Sequence, residues 1–496
     1  MRMSRRLLPA AVFLIALVAL FATKGSDRLP LPAQTALTAA KQDPAVANQL
    51  RAYSYDHAQV ARLDDATDRV SFFDGPRIRA IAAVDTDGHV QHTQTFKPGS
   101  PRYGSKTSDS PWLLAILSVA FLAATATRPL RSMRNLDVAA LLAFAVPILA
   151  GDHQLLELSV LSGYLPLAYL CGRCIWRAGH AEARPATPLV RRIPAHYIAA
   201  AAIVLALIAV GSSGAIDVGF ASTAGATLLL HGTLPYGHMP ADVVHGDTYP
   251  LLNYVLYLPS AAIAPVRDAF DDTSGAVLIG LAAALLTAFS LKTSRLTLAW
   301  LCFPPVAIAV AAGTNDLLLA AAIAVALASS RRTILALTAG AWIKLAPLAL
   351  LPMWLGRTRG RGWQAAAALS AALTAVLLAL GGTGAIGHML HALSFQMSRG
   401  SAQSAWSLLG IEGLQPVAQA ATLTGIAWAT ANADRLNLAA AGGAILAALQ
   451  LSASNWTYLY VVWLFPALAF ALLASGAAIP GRGTPTTRTR PGRAAG

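Results

Sequence analysis

The 496-residue sequence has little charge: 12% of its residues are Asp, Glu, Lys or Arg, whereas 56% are hydrophobic and the mean hydropathy is +0.55. Water-soluble domains carry about 25% charged residues, so the composition excludes a chain made mainly of soluble domains. Continuous apolar runs of roughly 16 to 22 residues recur along the chain, and each is long enough to cross a hydrocarbon core of about 30 Å. The sequence therefore predicts an all-α polytopic membrane protein.

Cysteine is also scarce, and its three residues, Cys171, Cys174 and Cys302, exclude a disulfide framework. Cys171 and Cys174 have the C-x-x-C spacing of a redox or zinc pair, but no second pair or histidine completes such a site. We interpret both as ordinary structural residues. A glycine-rich nucleotide-binding loop is missing as well, which argues against a nucleotide as the donor of a transferred group.

Acidic residues are outnumbered by basic ones, which gives a formal net charge of +14. The basic residues lie in short clusters between apolar runs, as expected if Lys and Arg mark the cytoplasmic side, so we expect a bilayer and no nucleic acid as partner. Lys and Arg are absent from residues 193–266. We predict that this stretch reaches the extracytoplasmic side and that both chain termini are cytoplasmic.

Composition divides the chain into five segments. A basic start followed by an apolar run, with no clean cleavage site, favours an uncleaved anchor over a cleaved signal peptide. The predicted segments are a membrane anchor at 1–23, an extracytoplasmic α+β domain at 24–111, additional transmembrane helices at 112–193, a transmembrane region with the candidate site at 194–475, and a disordered basic cytoplasmic tail at 476–496.

Within the polar segment, residues 76–96 read as two strands joined by a turn at Asp87-Gly88. Residues 36–50 read as a helix.

Two apolar stretches do not fit a simple series of spans. Residues 251–265 are short for a span, and an interfacial position for them, rather than a crossing, puts more of the later basic residues in the cytoplasm. The stretch from Arg332 to Arg361 has Lys344 and Pro347 in its middle, which predicts two short helices in a hairpin with Lys344 near the tip. We expect about 12 transmembrane helices plus this hairpin.

Ionisable residues gather on the predicted outer face. They occur at a helix end (Asp217), in the long loop HGTLPYGHMPADVVHGDTYP (231–250), in the turn at Asn315 and Asp316, in the hairpin (Lys344), and in a further loop (Arg399). Such groups at a membrane are costly and are functional candidates. Each also has a structural explanation: Asp217 can be a solvated helix end, and Asn315 or Asp316 can cap a helix. Lys344 can extend its charge to water.

Taken together, these residues suit group transfer from a lipid carrier. A carboxylate can accept the proton of an acceptor hydroxyl, and cations such as Lys344 and Arg399 can hold a leaving phosphate. The loop histidines His231, His238 and His245 lie in a proline-containing segment, where solvated histidines are the usual finding. We expect no cofactor and do not favour a divalent metal.

Seven short motifs occur in order over residues 208–466. They are IAVGSSGAIDVGF (208–220), ASTAGATLLLHGTLPYG (221–237), YPLLNYVLYLP (249–259), GTNDLLLAAAIAVAL (313–327), AGAWIKLAPLALLP (339–352), SRGSAQSAWSLLG (398–410) and NWTYLYVVWLFP (455–466). In this order they resemble the GT-C membrane glycosyltransferases, most closely glycosyltransferase family 87, the polyprenyl-phosphate-mannose-dependent mannosyltransferases. The N-terminal 200 residues lie outside the resemblance.

The resemblance implies a GT-C-like bundle that transfers a sugar, mannose or a pentose, with inversion from a polyprenyl-phosphate donor. It implies Asp217 as the catalytic base, Asp316 as a second acidic position, and Lys344 and Arg399 beside the lipid phosphate. Further substrate-binding residues are expected in the same turn and loop: Asn315, Tyr236, His238, His245, Asp247 and Tyr249. The family has an acidic pair where this chain has the single Asp217, which argues against a metal, and residues 245–247 have no clear counterpart.

The implied partners are the lipid donor, a glycolipid, glycan or protein acceptor, and the bilayer. The implied location is the cytoplasmic membrane, with the active site on its extracytoplasmic face. Two alternatives stay open. A transporter or lipid flippase of the cell envelope would place polar residues deep in several spans, and a non-enzymatic envelope scaffold would depend on residues 24–111.

Overall fold

The computed structural model describes residues 33–64, 67–74, 77–96, 110–152, 155–180, 187–190, 192–212, 215–239, 246–266, 273–354, 361–398 and 404–474. It is mostly helical, at 70%, which confirms the prediction of a many-helix chain. The predicted anchor at 1–23 and the predicted tail at 476–496 lie outside these residues.

Within the described part, three helical stretches are long and apolar enough to cross a membrane: Met133–Gly151, Glu157–Gly179 and Gly362–Gly381. Ser294–Leu301 and Pro304–Ala311 qualify together as one span bent by 55°, and seven further apolar helices have 10–17 residues. The structure thus has several helices suited to a membrane, whereas the number of 12 spans stays a prediction.

Residues 33–96 form a small unit of two helices and one antiparallel sheet. Its elements are α1 (Ala33–Gln42), α2 (Pro44–Ala52), β1 (His57–Asp64), β2 (Thr67–Asp74), β3 (Arg77–Asp85) and β4 (Val90–Thr95), with the strands in the order β1-β2-β3-β4. Val70, Phe72 and Ala82 of the sheet pack against Ala36 of α1 and Val46 of α2.

The sequence predicted part of this unit. The β3–β4 hairpin is confirmed, and Gly88 in its turn has a φ of +84°, which a side chain would disfavour. β1 and β2 were not predicted. The helical structure expected over residues 36–50 is confirmed, and it divides into two helices at Asp43-Pro44: Asp43 accepts from the backbone N–H groups of Ala45 and Val46 and so starts the second helix.

The remaining helices form the bundle. In chain order they are α3 (Pro111–Thr125), α4 (Met133–Leu142), α5 (Ala145–Asp152), α6 (Leu156–Gly179), α7 (Ala195–Val210), α8 (Asp217–Leu230), α9 (Leu251–Leu256), α10 (Leu258–Ile263), α11 (Ser274–Ser290), α12 (Ser294–Leu301), α13 (Pro304–Ala311), α14 (Asp316–Ala328), α15 (Thr333–Ala341), α16 (Leu351–Trp354), α17 (Arg361–Gly381), α18 (Gly384–Ser398), α19 (Ala405–Leu408), α20 (Gln415–Ala431), α21 (Leu438–Leu451) and α22 (Val461–Leu468). Short strands β5 (Thr127–Arg128) and β6 (Thr187–Pro188) pair between α3 and α7.

Helix α14 lies in the interior of the bundle. Leu317, Leu319 and Ile323 on it are fully buried, and the helix contacts α11, α15 and α22. Its many alanines allow these neighbours to approach closely, as small residues do between membrane helices. Because Asp316 is the first residue of α14, the predicted acidic turn is carried into the protein interior.

The hairpin predicted around Lys344 is confirmed in its local form. α15 ends at Ala341, and after a break the chain continues as a 3-10 turn, Ala346–Ala349, and then as α16. A Cβ added to Gly340 would lie 3.0 Å from Cγ of Pro347, so the two arms pack closely against each other. Lys344 lies in the break between them.

Residues 251–265 do not form one span. They form α9 and α10, of six residues each, and each is about 9 Å long at 1.5 Å per residue. Neither helix is long enough to cross a bilayer, in keeping with the topology that we preferred. Their place at an outer interface stays a prediction.

A buried ion pair joins α4 to α6. Arg173 binds Asp137 through two contacts, Nε to Oδ1 at 2.7 Å and the terminal Nη2 to Oδ2 at 3.0 Å. The Tyr169 hydroxyl donates to Oδ1 at 2.8 Å. The exposed fractions are 1% for the Asp137 side chain and 11% for that of Arg173, so three donors hold the carboxylate in a nearly dry interior.

Cys171 and Cys174 lie on the same helix, α6, and both are free and buried. A Cβ added to Gly443 of α21 would lie 3.0 Å from Cys174 Sγ, so this thiol fills the interface between the two helices. The cysteines pack as apolar side chains, as we interpreted them from the sequence.

Candidate functional site

Asp316 and Lys344 form a second buried ion pair. Lys344 Nζ lies 2.6 Å from Asp316 Oδ1, and the Thr314 hydroxyl donates to Asp316 Oδ2 at 2.7 Å. The exposed fractions are 2% for the Asp316 side chain and 18% for that of Lys344. The turn before α14 and the break in the hairpin thus bring together two charges that are 28 residues apart in the chain.

Two tyrosine rings flank this lysine. Lys344 Nζ lies 5.7 Å from the ring centroid of Tyr249 and 5.2 Å from that of Tyr460, both within the range of a cation–π interaction. Tyr249 ends the long loop, and Tyr460 lies in the turn before α22. The ammonium group is therefore held by a carboxylate and two ring faces from three distant parts of the chain.

A chain of polar side chains runs from the same turn to α8. Asn315 Nδ2 donates to Asn253 Oδ1 at 2.9 Å, and Asn253 Nδ2 donates to Ser222 Oγ at 2.9 Å. The Ser222 hydroxyl in turn donates to the carbonyl oxygen of Val218 at 2.7 Å. Ser222, Asn253 and Asn315 are all fully buried; we call this set the polar ladder.

The expectation that Asn315 or Asp316 would cap α14 with its side chain is wrong. Asn315 occupies the N-cap position but makes no capping hydrogen bond, because its amide is directed to Asn253. Instead, the Thr314 hydroxyl oxygen accepts from the backbone N–H of Asp316 at 3.3 Å. Among the described residues, Asn315 Oδ1 has no hydrogen-bond donor, and an unpaired buried acceptor costs about 1–3 kcal/mol.

Asp217 lies beside this turn but outside the ion pair. It is the first residue of α8, its side chain is exposed, and its Oδ1 accepts from the backbone N–H of Val218 at 2.8 Å. The preceding backbone contacts the turn directly, since the N–H of Ile216 donates to the carbonyl oxygen of Ala312 at 2.9 Å. The exposed carboxylate is therefore held close to the turn that leads into Asp316.

Glycines allow this close approach. A Cβ added to Gly219 would lie 2.5 Å from the carbonyl oxygen of Gly313, and Gly313 itself has a φ of +60°. A side chain at either position would clash with its neighbour. The contact places the first turn of α8 directly against the turn before α14.

Tyrosines hold the two ends of the long loop together. The Tyr236 hydroxyl donates to the carbonyl oxygen of Tyr249 at 3.1 Å, and the Tyr254 hydroxyl donates to that of Gly246 at 2.7 Å. Asp247 Oδ2 accepts from the backbone N–H of Gly237 at 2.9 Å. Tyr236 and Asp247 thus support the loop that presents Tyr249 to Lys344.

The described loop histidines bind the backbone. His231 Nδ1 lies 2.8 Å from the carbonyl oxygen of Thr227, and His238 Nδ1 lies 3.0 Å from that of Tyr236. His245 and Arg399 lie outside the described residues, so their predicted roles stay predictions.

Of the predicted site, Asn315, Asp316, Lys344 and Tyr249 come together, and Tyr236 and Asp247 support them. Asp217 lies at the edge, and no described contact brings the His238 side chain to the ion pair. Sequence reasoning missed Ser222, Asn253, Thr314 and Tyr460. Asn253 carried a signal, because it is the one amide in the apolar stretch LLNYVLYLP.

A separate group in the 33–96 unit could hold a metal ion. Asp85, Asp87 and His89 place one ligand atom each within 4.8 Å of one another. Burial raises the pKa of Asp85, but hydrogen bonds from the His89 N–H, the Gln91 side chain and the Asp87 N–H, together with the nearby His89 ring, outweigh it and lower the pKa below its ordinary value. The carboxylate of Asp85 thus already accepts hydrogen bonds within its own turn. The binding of a divalent metal at this group stays open.

No protein-family model, curated protein or solved structure matches this chain. The glycosyltransferase resemblance therefore stays a prediction, and function is argued from the site.

Proposed function

We propose that this protein is an integral membrane glycosyltransferase. It would move a sugar, mannose or a pentose, from a polyprenyl-phosphate donor to the hydroxyl of a glycolipid, glycan or protein acceptor on the extracytoplasmic face. The observation that carries the proposal is a buried, tyrosine-flanked ammonium–carboxylate pair next to an exposed carboxylate at a helix start.

The transfer needs two opposite functions at one place. Asp217 would accept the proton of the acceptor hydroxyl, whose oxygen attacks the sugar carbon from the side opposite the phosphate. The bond between that carbon and the phosphate oxygen breaks, its electron pair goes to the phosphate, and the configuration inverts. Lys344, with Arg399 from its loop, would stabilise the charge of the leaving phosphate.

An apolar cluster beside both charges suits a lipid-linked substrate. Val218 follows Asp217 in sequence and Leu345 follows Lys344, and both pack against the same buried cluster. That cluster includes Leu234, Leu377 and Met389 from the loop, α17 and α18. Val218 and Leu345 are only partly buried and would offer apolar contact to an isoprenoid tail on this side of the site.

The test is transfer of labelled sugar in membranes, with mannose and arabinofuranose polyprenyl-phosphate donors and a crude lipid acceptor extract. We expect transfer by wild type and none by Asp217→Asn, which keeps the shape of the side chain but cannot accept the proton. Glu412→Gln, at another exposed carboxylate, serves as the matched control and should keep activity. Equal transfer by wild type and by folded, inserted Asp217→Asn would overturn the assignment of the base.

A transporter is the second candidate, and one observation favours it. The pair of Asp137 and Arg173 puts charge in another part of the bundle interior, and intramembrane charges often mark transport paths. If no donor gives transfer, flux of labelled polyprenyl-phosphate lipid across proteoliposomes is the measurement that distinguishes this candidate.

A further inference from the structure

The side chains of the polar ladder carry a free-energy cost of desolvation, because they lie in the protein interior. Ser222, Asn253 and Asn315 have no exposed surface, and a buried amide or hydroxyl is tolerated only when it is hydrogen-bonded. Asn253 is the middle member, and its amide uses its oxygen toward Asn315 and its nitrogen toward Ser222. A leucine at this position would avoid the cost, so the polar side chain needs an explanation other than apolar packing.

The ladder joins the two segments that carry the proposed site. One end is the first turn of α8, because Ser222 binds the carbonyl oxygen of Val218. The other end is Asn315, directly before Asp316. The same two segments also touch where Ile216 binds Ala312. Two separate attachments limit both translation and rotation of one segment against the other.

We propose that Asn253 is a positioning residue that fixes Asp217 relative to the pair of Asp316 and Lys344. This inference rests on the proposed function, since it takes those three side chains as the reacting and binding groups. Displacement of a catalytic group by about 1 Å can cost about 100-fold in rate. The described hydrogen bonds of the Asn253 side chain go to Asn315 and Ser222, and it has no exposed surface, so its effect on transfer is exerted through the geometry of the two segments.

Three variants test the proposal. Asn253→Leu removes both amide hydrogen bonds at similar volume. Asn253→Asp keeps the shape, and its ionised form still accepts from Asn315 but cannot donate to Ser222. Thr287→Val is the matched control, because Thr287 is also fully buried but donates only within its own helix, to the carbonyl oxygen of Ala283 at 2.9 Å.

The kinetic result expected is a fall in kcat of at least about tenfold for Asn253→Leu, with KM for the donor nearly unchanged. Thr287→Val should keep kcat. For Asn253→Asp, kcat relative to wild type should rise as the pH falls, because protonation of the introduced carboxyl restores a donor to Ser222. Two results together would mean that Asn253 is only structural. Asn253→Leu would have a lower Tm with unchanged kcat per folded molecule, and the ratio of kcat for Asn253→Asp to kcat for wild type would not change with pH.

A distance measurement separates this inference from the proposed function. Spin labels are attached at two exposed positions through the substitutions Asp217→Cys and Phe289→Cys, and the distance between the labels is measured. The backbone N–H of Ala215, two residues before Asp217, donates to the Thr273 hydroxyl next to the start of α11. Phe289 lies 16 residues beyond Thr273, about 24 Å along a helix. Protein without the introduced cysteines checks that the three buried native cysteines stay unlabelled.

Adding Asn253→Leu should broaden or shift the distance distribution, and adding Thr287→Val should not. An unchanged distribution would overturn the positioning role whatever the activity. A changed distribution in a protein that transfers no sugar would support the positioning of Asp217 while the proposed function fails.

Discussion

Two buried ion pairs within the described part of the chain differ in how many hydrogen bonds and charges hold each carboxylate and its cation. Asp137 is held by the planar guanidinium of Arg173 through two contacts and by Tyr169, and neither charged side chain is more than 11% exposed. Asp316 is held by the single ammonium of Lys344 and by Thr314, and the lysine is 18% exposed. Asn315, next to Asp316, keeps an unpaired amide oxygen among the described residues.

The difference follows from the chemistry of the two cations. Arginine presents donors in a rigid fork that matches a carboxylate, whereas the lysine ammonium is a compact charge with rotatable donors. A bidentate pair in a dry interior has little capacity for a further ligand. A lysine held by one carboxylate oxygen and two ring faces can exchange part of its coordination for a phosphate, so we assign stability to the first pair and function to the second.

The largest effect is expected at Lys344. Lys344→Met should lower transfer by about 100-fold or more, because the leaving phosphate loses one of its two proposed cations. It should also destabilise the fold by about 3–5 kcal/mol, because Asp316 is left buried without a charged partner. Rates of labelled sugar transfer and thermal unfolding in detergent measure the two effects.

A double variant separates these two effects. Lys344→Met with Asp316→Asn removes both charges and should regain much of the lost stability without regaining transfer. Recovery of transfer together with stability would show that the pair only supports the fold.

The Arg173 pair should behave in the opposite way. Arg173→Met leaves Asp137 buried and should cost about 3–5 kcal/mol of folding free energy, while transfer per folded molecule stays unchanged. Unfolding curves and transfer rates normalised to folded protein give both numbers. A selective loss of transfer or of lipid flux in folded Arg173→Met would make this pair part of a functional path.

A smaller effect is expected at the glycine contact that holds the site. Gly219→Ala should destabilise by about 1–3 kcal/mol, as overpacking does, and should lower transfer, since its Cβ would meet the Gly313 carbonyl oxygen at 2.5 Å. Gly425→Ala is the matched control: it lies in α20 with nothing within 4 Å of an added Cβ. It should be neutral or slightly stabilising, and an equal loss at both positions would refute the steric argument.

The smallest effect concerns Asp85, a carboxylate held by hydrogen bonds within its own turn. Its folded pKa lies below 3.8, so its contribution to stability is present above the unfolded pKa and is lost as the pH falls through the folded pKa. Amide exchange of β3 and β4, corrected for intrinsic rates, should lose protection below about pH 4 in wild type. Asp85→Asn should be less protected at neutral pH and should lack this part of the pH dependence.

Much of the fold could be predicted from local sequence patterns. Apolar runs predicted the helices, Pro347 and Lys344 predicted the break in the hairpin, and Asp87-Gly88 predicted the turn of the sheet unit. β1 was missed because the alternation of polar and apolar residues in HAQVARLD changes phase at Val60-Ala61; β2 was missed as well. The division of the helical segment over 36–50 could have been predicted from Pro44.

The site was harder to predict because its contacts are long-range. The residue types and order pointed to Asp316, Lys344 and Tyr249, but no local pattern shows that a lysine will meet a carboxylate 28 residues away. The capping expectation failed for the same reason, since the hydrogen bond from Asn315 Nδ2 to Asn253 orients the amide and its Oδ1 accepts no N–H group of α14. Tyr460 contributes a ring face, which composition cannot distinguish from ordinary packing.

The most direct test of the account is the initial rate of sugar transfer from polyprenyl-phosphate donors by two double variants. One is Lys344→Met with Asp316→Asn, and the other is Arg173→Met with Asp137→Leu; both are compared with wild type at equal amounts of folded protein. The account predicts loss of transfer in the first and a rate close to wild type in the second. Equal rates in the two variants, or no transfer by wild type from any donor, would contradict it.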